Sequence, residues 1–307
     1  MKLNEVSKVV EPNSLELFFP IRELSLQTGV NSVTLRAWER RYGLLKPIRT
    51  EKGHRLYSDT DVQRVKAIVS WINKGIAVSK VRALLDQESV TNDANISNEW
   101  SDQQAQLLTA IELYQEDKID SLIQQNLSQY PIEAVIHYWL APVLSELQNA
   151  QLKQEQKSYF ISLLRQRITI RLMSQNKKKS KRRVLLTSLG EESSIWVWLQ
   201  AAWCSDEGFY VVVIDTLESV EESPALIENI RPDFFISHVD KGFGLKQEMV
   251  MQKFQAFSIP IVLSGATTWL EENRREAPSG LAVFSDPFDA VRHVCESVSE
   301  NQKLSKL

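Results

Sequence analysis

The sequence predicts a multidomain chain of α and α/β class, with an N-terminal helical domain that carries a β-hairpin, a central helical bundle and a C-terminal five-stranded parallel α/β domain. Three observations predict it. The length of 307 residues is about twice that of an ordinary domain. Apolar residues recur at helical spacing in the first half and form short runs between helix-length segments after residue 183. Residues 18–86 carry 13 Lys and Arg against 6 Asp and Glu, so the remainder of this chain of net charge −3 sums to −10.

After a tail at residues 1–17, residues 18–87 predict a compact helical domain. Residues 21–28 form a short amphipathic helix that Gly29 ends, because glycine tolerates the left-handed conformation. Asn31 or Ser32 can cap a second helix that stops at Gly43. Helices at residues 60–74, with an apolar stripe, and 79–86 complete the domain. Helix, turn and helix is the arrangement that places an exposed helix face in the major groove of DNA.

The second helix carries arginines, and residues 44–57 predict a β-hairpin wing beside it that contains further cations. Arginine suits DNA because its planar guanidinium donates two parallel hydrogen bonds to guanine edges or phosphates. Lys and Arg also displace counterions from a nucleic-acid backbone. A basic surface can instead be merely a solvated face, so charge alone leaves both readings open. Trp38 is expected to pack between helix and wing.

These residues resemble the MerR family of winged helix-turn-helix regulators. The matching pattern is Leu35, Arg36, Trp38, Glu39, Arg40, Tyr42, Gly43 and Leu44, followed in the wing by Arg49, Gly53, Arg55 and Tyr57. The resemblance implies that arginines of helix and wing touch DNA and that Tyr57 contacts its backbone. The DNA-binding residues expected on this basis are Ser32, Thr34, Arg36, Arg40, Arg41, Lys46, Arg49, Lys52, His54, Arg55 and Tyr57.

The polar, aperiodic residues 88–98 predict a linker, and residues 99–176 predict a four-helix bundle in which Pro131 begins the third helix. A basic connector at residues 177–183 follows. Residues 184–303 then predict β-α units around a parallel sheet, with strands near 184–189, 209–215, 233–239, 260–264 and 280–286. We find no phosphate-binding glycine motif, nucleophile elbow or metal-spaced His and Cys, and therefore predict no enzyme activity.

A MerR-type domain, a bundle and an α/β domain in this order resemble the cobalamin-binding light- and vitamin-responsive regulators, which implies a flavodoxin-like, cobalamin-binding-like C-terminal fold. Cobalamin binding in that architecture uses a His ligand in an E/D-x-H-x-x-G loop, where this chain has Ser193 and, in place of the glycine, Trp196. The remaining determinants are replaced by Leu147, Lys157, Ser158, Ser264 and Gly265. We therefore predict that the fold is kept without a cofactor, that Trp196 and Trp198 pack, and that His238 is a solvated loop residue.

Residues 33–85 closely resemble the MlrA-type regulators of enterobacteria, which activate curli and extracellular-matrix genes and also lack the cobalamin His. The resemblance implies a sequence-specific, cobalamin-independent activator of biofilm genes that binds double-stranded promoter DNA as a homodimer, acts with RNA polymerase, and can hold a regulatory protein at its C-terminal domain. A cobalamin-dependent, light-responsive MerR-type repressor is the alternative.

The cysteine count, the apolar runs and the N-terminal residues limit which cross-links and cellular locations we expect. Cys204 and Cys295 are too few and too far apart for a disulfide framework or a Cys-rich zinc site, and we expect both to be buried thiols. No apolar run approaches the ~18 residues of a membrane span. The N-terminus lacks the features of a secretory signal. We therefore expect a cytoplasmic protein with no membrane partner.

Overall fold

A computed structural model describes residues 17–85, 98–149, 152–177, 182–190, 192–240, 252–254, 257–265 and 281–304. These residues divide into two compact units. The N-terminal unit contains the described residues up to Leu107 together with Ser121–Val143, and the C-terminal unit contains Leu108–Asp120 and the residues from Leu144 onward. The predicted tail, the linker and most of the basic connector lie outside the described residues.

The N-terminal unit begins with β1 (Phe19–Pro20), α1 (Ile21–Thr28) and α2 (Ser32–Ala37), which continues into a π turn (Trp38–Tyr42). Next come β2 (Ile48–Arg49), β3 (Arg55–Tyr57), α3 (Asp59–Ile72) and α4 (Val78–Leu85). The predicted hairpin of β2 and β3 is confirmed, whereas β1, which pairs antiparallel with β3, was not predicted. Ser58 is the N-cap of α3, and its backbone N–H donates to Asp61 Oδ2 at 3.0 Å.

Four further helices follow, as predicted: α5 (Asn98–Glu112), α6 (Glu116–Gln129), α7 (Ile132–Val135) continuing through a second π turn (Ile136–Leu140) into α8 (Ala141–Asn149), and α9 (Gln154–Asn176). Pro131 is the N-cap of the third, because proline has no N–H to leave unpaired at a helix start. The division between the two units falls within α5, α6 and α8.

The C-terminal unit contains the five predicted strands: β4 (Arg183–Leu189), β5 (Tyr210–Leu217), β6 (Phe234–His238), β7 (Ile261–Ser264) and β8 (Leu281–Phe284). They form one parallel sheet in the order β5-β4-β6-β7-β8, with α10 (Ile195–Asp206), α11 (Ser223–Ile230) and α12 (Pro287–Leu304) among its helices. Every residue of β6 and β7 is buried, as expected for strands covered on both faces. The predicted α/β architecture is confirmed.

The two cysteines differ in environment. Cys204 is buried, and burial raises the pKa of its thiol, whereas Cys295 is only half-buried, so the expectation of two buried thiols is correct for the first alone. No helix in the described part of the chain is long and apolar enough to cross a membrane.

Candidate DNA-binding surface

The second helix presents a narrow exposed stripe, and local sequence explains how it is set up. Helix α1 ends because Gly29 adopts a left-handed φ of 70° and its N–H donates to Ser25 O. The Asn31 side chain then accepts a hydrogen bond from the Val33 N–H at 3.0 Å and caps α2. Along α2 and the π turn that continues it, Val33, Arg36 and Arg40 recur at helical spacing and are exposed.

The stripe lines a shallow cavity of about 370 Å³. Its lining comprises Val33, Arg36, Ala37, Arg40, Arg41 and, from α6, Ser128. Neither Arg40 nor Arg41 forms an ion pair with any residue that the structure describes. The cavity therefore combines unneutralised guanidinium groups with one exposed aliphatic side chain, a mixture that can meet both phosphates and base edges.

The π turn fixes the end of this helix against α6. Trp38 is fully buried and donates from Nε1 to the Gln129 backbone oxygen at 2.7 Å, while the Tyr42 hydroxyl donates to Gln129 Oε1 at 2.5 Å. Burial raises the pKa of Tyr42. The prediction that Trp38 is a packing residue is confirmed by its burial, and its indole N–H bonds to α6. Its expected place between helix and wing stays a prediction.

A single carboxylate ties the wing to the π turn. Glu39 accepts a hydrogen bond from Arg55 Nε at 2.6 Å and another from Arg49 Nη2 at 3.1 Å. The Glu39 side chain is only 11% exposed, whereas that of Arg49 is 53% exposed. The Glu39 hydrogen bond also raises the pKa of Arg55. Both wing arginines are thus oriented by one residue of the second helix.

The other predicted wing cations lie at its surface. The hairpin turns through Glu51 and Lys52 to Gly53, whose φ of 79° suits glycine and whose N–H donates to Thr50 O at 2.8 Å. Lys46, Lys52 and His54 are exposed. On α2, Ser32 is half-buried and its Oγ lies 3.5 Å from Arg36 Nη1.

Two predicted DNA-binding residues are core residues instead. Thr34 is 2% exposed, because it lies on the side of α2 that packs inward with Leu35. Tyr57 is 0% exposed at the inward end of β3, and its hydroxyl has no hydrogen-bond partner among the described residues. Burial raises the pKa of Tyr57 to about 12. Neither side chain is available at the surface of the unbound protein.

Three lining residues, Val33, Ala37 and Ser128, were missed by sequence reasoning. Val33 precedes Arg36 by three residues, so the helical spacing of the arginines could have identified it. Ser128 carried no such signal, because it reaches the cavity only through the packing of α6 against the second helix.

The loop after β4, where the cobalamin resemblance places a cobalt-ligating His, holds Ser193 in a polar cluster. Arg165 Nη2 donates to Ser193 Oγ at 2.8 Å, and Ser193 lies 2.5 Å from Asp215 Oδ1. Trp198 Nε1 also donates to Asp215 Oδ1, at 3.0 Å, and the Arg165 guanidinium lies over the Trp198 ring. Trp196 packs edge-on against Phe288 with ring centroids 5.8 Å apart. A hydroxyl engaged in this way does not replace a neutral imidazole on cobalt, so these residues do not fit the cofactor.

His238 differs from its prediction as a solvated loop residue. It ends β6, is 2% exposed, and its two ring nitrogens lie 3.0 Å from Ser264 Oγ and 2.9 Å from Asp240 Oδ1. Gln200 of α10 donates to the same Ser264 hydroxyl at 3.0 Å. Gln200, His238 and Ser264 form a buried hydrogen-bonded network at the carboxyl edge of the sheet, and the half-exposed Asp240 lies at its end. Within the described residues, no group of three or more His, Cys, Asp or Glu side chains could hold a metal ion.

Comparison with known proteins identifies the family. Residues 19–88 match the MerR HTH family of regulatory proteins. The HTH-type transcriptional regulator MlrA of Escherichia coli (strain K12) is 35% identical over 197 residues, which cover 64% of this chain and 79% of that protein. The chain belongs to the MerR family. As a MerR-family member it is a DNA-binding transcription regulator, and the helix-turn-helix and wing described above lie within the matched residues.

One further relative and one solved structure extend the comparison. The HTH-type transcriptional repressor CarH of Myxococcus xanthus is 26% identical over 219 residues, covering 67% of this chain and 73% of that protein. The monomethylamine corrinoid protein of Methanosarcina barkeri superposes with a TM-score of 0.47 at 15% identity, covering 64% of this chain and 99% of that one. The curated relatives named here are transcription regulators.

Proposed function

We propose that this regulator recognises a specific promoter sequence with the stripe of α2 and holds the DNA backbone with its wing. The observation that carries the proposal is the exposed row of Val33, Arg36 and Arg40 on the second helix of a helix-turn-helix, with Arg41 beside it and no ion pair to Arg40 or Arg41 among described residues. In such motifs the second helix enters the major groove.

The side chains suggest a division of roles. Arg36 and Arg40 can each form a bidentate contact with guanine O6 and N7, and Val33 can pack on a thymine methyl group. The wing cations at 46, 49, 52, 54 and 55 suit phosphate contacts, which position a protein without specifying a base. Thr34 and Tyr57 are excluded from this set because they are buried.

The test is selection of bound duplexes from a random pool with the full chain, followed by affinity measurements across a salt series. A specific site, bound with an affinity that falls steeply with salt, is expected. Val33→Ala should relax base preference at one position by a fold-change corresponding to about 1 kcal/mol. Ile170→Ala, which truncates an equally exposed aliphatic side chain on α9, is the matched control. No enrichment from the pool would refute the proposal.

We also propose that the protein acts as a homodimer. One recognition helix contacts only a few base pairs, so two copies on paired half-sites give a useful specificity. The selected sites should then be inverted repeats, and light scattering of the DNA complex should give twice the 35.2 kDa chain mass plus the mass of the duplex. A monomer both free and DNA-bound, with a single half-site selected, would contradict this.

The regulated genes are proposed from similarity. Because the chain is 35% identical to MlrA of E. coli, we propose that it acts with RNA polymerase as an activator of extracellular-matrix and biofilm genes. The C-terminal unit would then offer a platform for a regulatory protein. Transcript profiling of a deletion strain tests this: matrix transcripts should fall, and a rise would indicate a repressor.

We further propose that regulation is independent of cobalamin. Support comes from Ser193, which is engaged by Arg165 and Asp215, and from Trp196, which packs on Phe288. Gel filtration after incubation with adenosylcobalamin should give a colourless protein peak. A peak that carries corrinoid absorbance in near-stoichiometric amount would favour the alternative, a cobalamin-dependent light-responsive repressor.

A further inference from the structure

Gln129, the last residue of α6, bonds to both ends of the π turn. Its backbone oxygen accepts from Trp38 Nε1 at 2.7 Å and its side-chain oxygen accepts from the Tyr42 hydroxyl at 2.5 Å. Gln129 is 6% exposed and Trp38 is fully buried, so the first bond is shielded from water. All three residues belong to the N-terminal unit, although Gln129 lies 87 residues beyond Tyr42 in the chain.

The segment between the two anchored aromatic residues carries the groups that meet DNA and the wing. Arg40 and Arg41 are exposed there, and Glu39 holds Arg49 and Arg55. Trp38 and Tyr42 are four residues apart and so share one side of the turn. A π turn inserts an extra residue into a helix, and such insertions are frequent at functional sites. Two bonds from one residue therefore set the position of a turn whose outer side is functional.

The end of α6 is itself held firmly. Tyr130, next to Gln129, is 2% exposed and packs against Trp100 with ring centroids 4.5 Å apart. The Trp100 ring also stacks on Tyr138, whose hydroxyl donates to the Asn73 backbone oxygen at the end of α3. Gln129 thus lies in a packed aromatic layer that joins the helix-turn-helix to α5, α6 and the second π turn.

We infer that Gln129 is a positioning residue for DNA recognition, which fixes the π turn so that Arg40, Arg41 and the Glu39-bound wing arginines meet DNA together. The inference rests on the proposed function. It extends the DNA-recognition unit beyond residues 19–88, because a side chain of the central helices completes the geometry of the recognition helix.

The test is a double-mutant cycle in the full chain, with Tyr42→Phe, Gln129→Met and the double variant. Tyr42→Phe removes only the hydroxyl, and Gln129→Met removes the acceptor at nearly constant volume. Each single change should weaken binding to the selected duplex about 3- to 10-fold, the range for one hydrogen bond. Because both changes remove the same hydrogen bond, the double variant should bind no more weakly than the single variants. Gln125→Met, on an exposed position one turn earlier in α6, is the matched control.

The readout that separates positioning from folding is the ratio of affinities for the selected and a scrambled duplex, measured well below the thermal midpoint of each variant. The inference predicts a reduced ratio, unchanged affinity for the scrambled duplex and an unchanged salt slope. The inference would be overturned if each variant lost the same affinity for both duplexes in proportion to its unfolded fraction. Wild-type affinities in all variants would overturn it as well. A wild-type chain that selects no duplex would refute the proposed function and this inference together.

Discussion

Replacing Glu39 by Gln should lower stability while making DNA binding less selective. The substitution removes a carboxylate that is 11% exposed and that holds both wing arginines, and it keeps the shape of the side chain. The amide oxygen can still accept from one arginine. Without the carboxylate, Arg49 and Arg55 are no longer held in one orientation or partly neutralised, so they can contact phosphates more strongly and on any sequence.

The magnitude follows from the two contacts. The Arg55 pair, 2.6 Å long with side chains 27% and 11% exposed, is of the charge-assisted kind that contributes about 1.5–3 kcal/mol. The Arg49 pair is half exposed and contributes about 0.2–1 kcal/mol after solvent screening. Since Gln retains one acceptor, we expect a net loss of about 1–3 kcal/mol. For a unit of roughly 100 residues each kcal/mol lowers the melting temperature by about 4–8 °C.

Two measurements check this prediction. Thermal and urea unfolding should show the lowered stability. At low salt the variant should bind a scrambled duplex more tightly than the wild type does. In a plot of log affinity against log salt concentration, its slope should be steeper by about 0.9 for each additional phosphate neutralised. Glu51→Gln in the exposed hairpin turn makes the same charge change without an ion pair to any described residue, and should leave stability unaltered. Unchanged stability and an unchanged salt slope in Glu39→Gln would refute the reasoning.

Three further predictions test other contacts. Arg36→Ala should weaken binding to the selected duplex by about 1–3 kcal/mol and leave the melting temperature unchanged, since its side chain is exposed; equal affinity would remove it from the interface. Tyr57→Phe should leave DNA affinity unchanged. Because the raised pKa of about 12 favours the neutral phenol in the folded state, the wild type should lose stability between pH 10 and 12, whereas the variant should not lose this contribution. The same loss of stability with pH in both proteins would contradict this. Asp206→Asn should lower the free energy of unfolding of the C-terminal unit by about 1.5–3 kcal/mol, because Arg171 Nη2 contacts both Asp206 oxygens at 2.6 and 2.7 Å. A loss below about 0.5 kcal/mol would show that solvent screens the pair.

Local patterns were sufficient for most elements of this fold, although β1 was not predicted from them. Short apolar runs predicted all five strands. In β4, β6 and β7 the run reflects burial on both faces, which leaves no polar side to interrupt it. Gly29 predicted where α1 ends, and the pair Asn31 and Ser32 predicted where α2 begins, of which the structure shows Asn31 to be the cap. Helix ends depend on the conformations and side-chain acceptors of a few adjacent residues. The MerR pattern also depends on short spacings, and the family comparison confirmed it.

Which individual side chains are buried and which are exposed was less predictable. Thr34 and Tyr57 belong to short elements in which polar residues of similar type lie both inside and outside, so composition did not distinguish buried from exposed. His238 likewise became a core residue because Ser264, 26 positions later in the chain, supplied a partner in the neighbouring strand. A buried polar group is stable only with such a partner, and its presence is not visible locally.

What the sequence by itself determined is therefore the order of elements, the family, and the row of arginines on the second helix. The tertiary structure alone decided that Gln129 holds the π turn, that Glu39 holds two wing arginines, and that Ser193 is bonded to Arg165 and Asp215. Periodicity and capping arise between residues a few positions apart, whereas these contacts join residues 10 to 91 positions apart and exist only once helices and strands have packed.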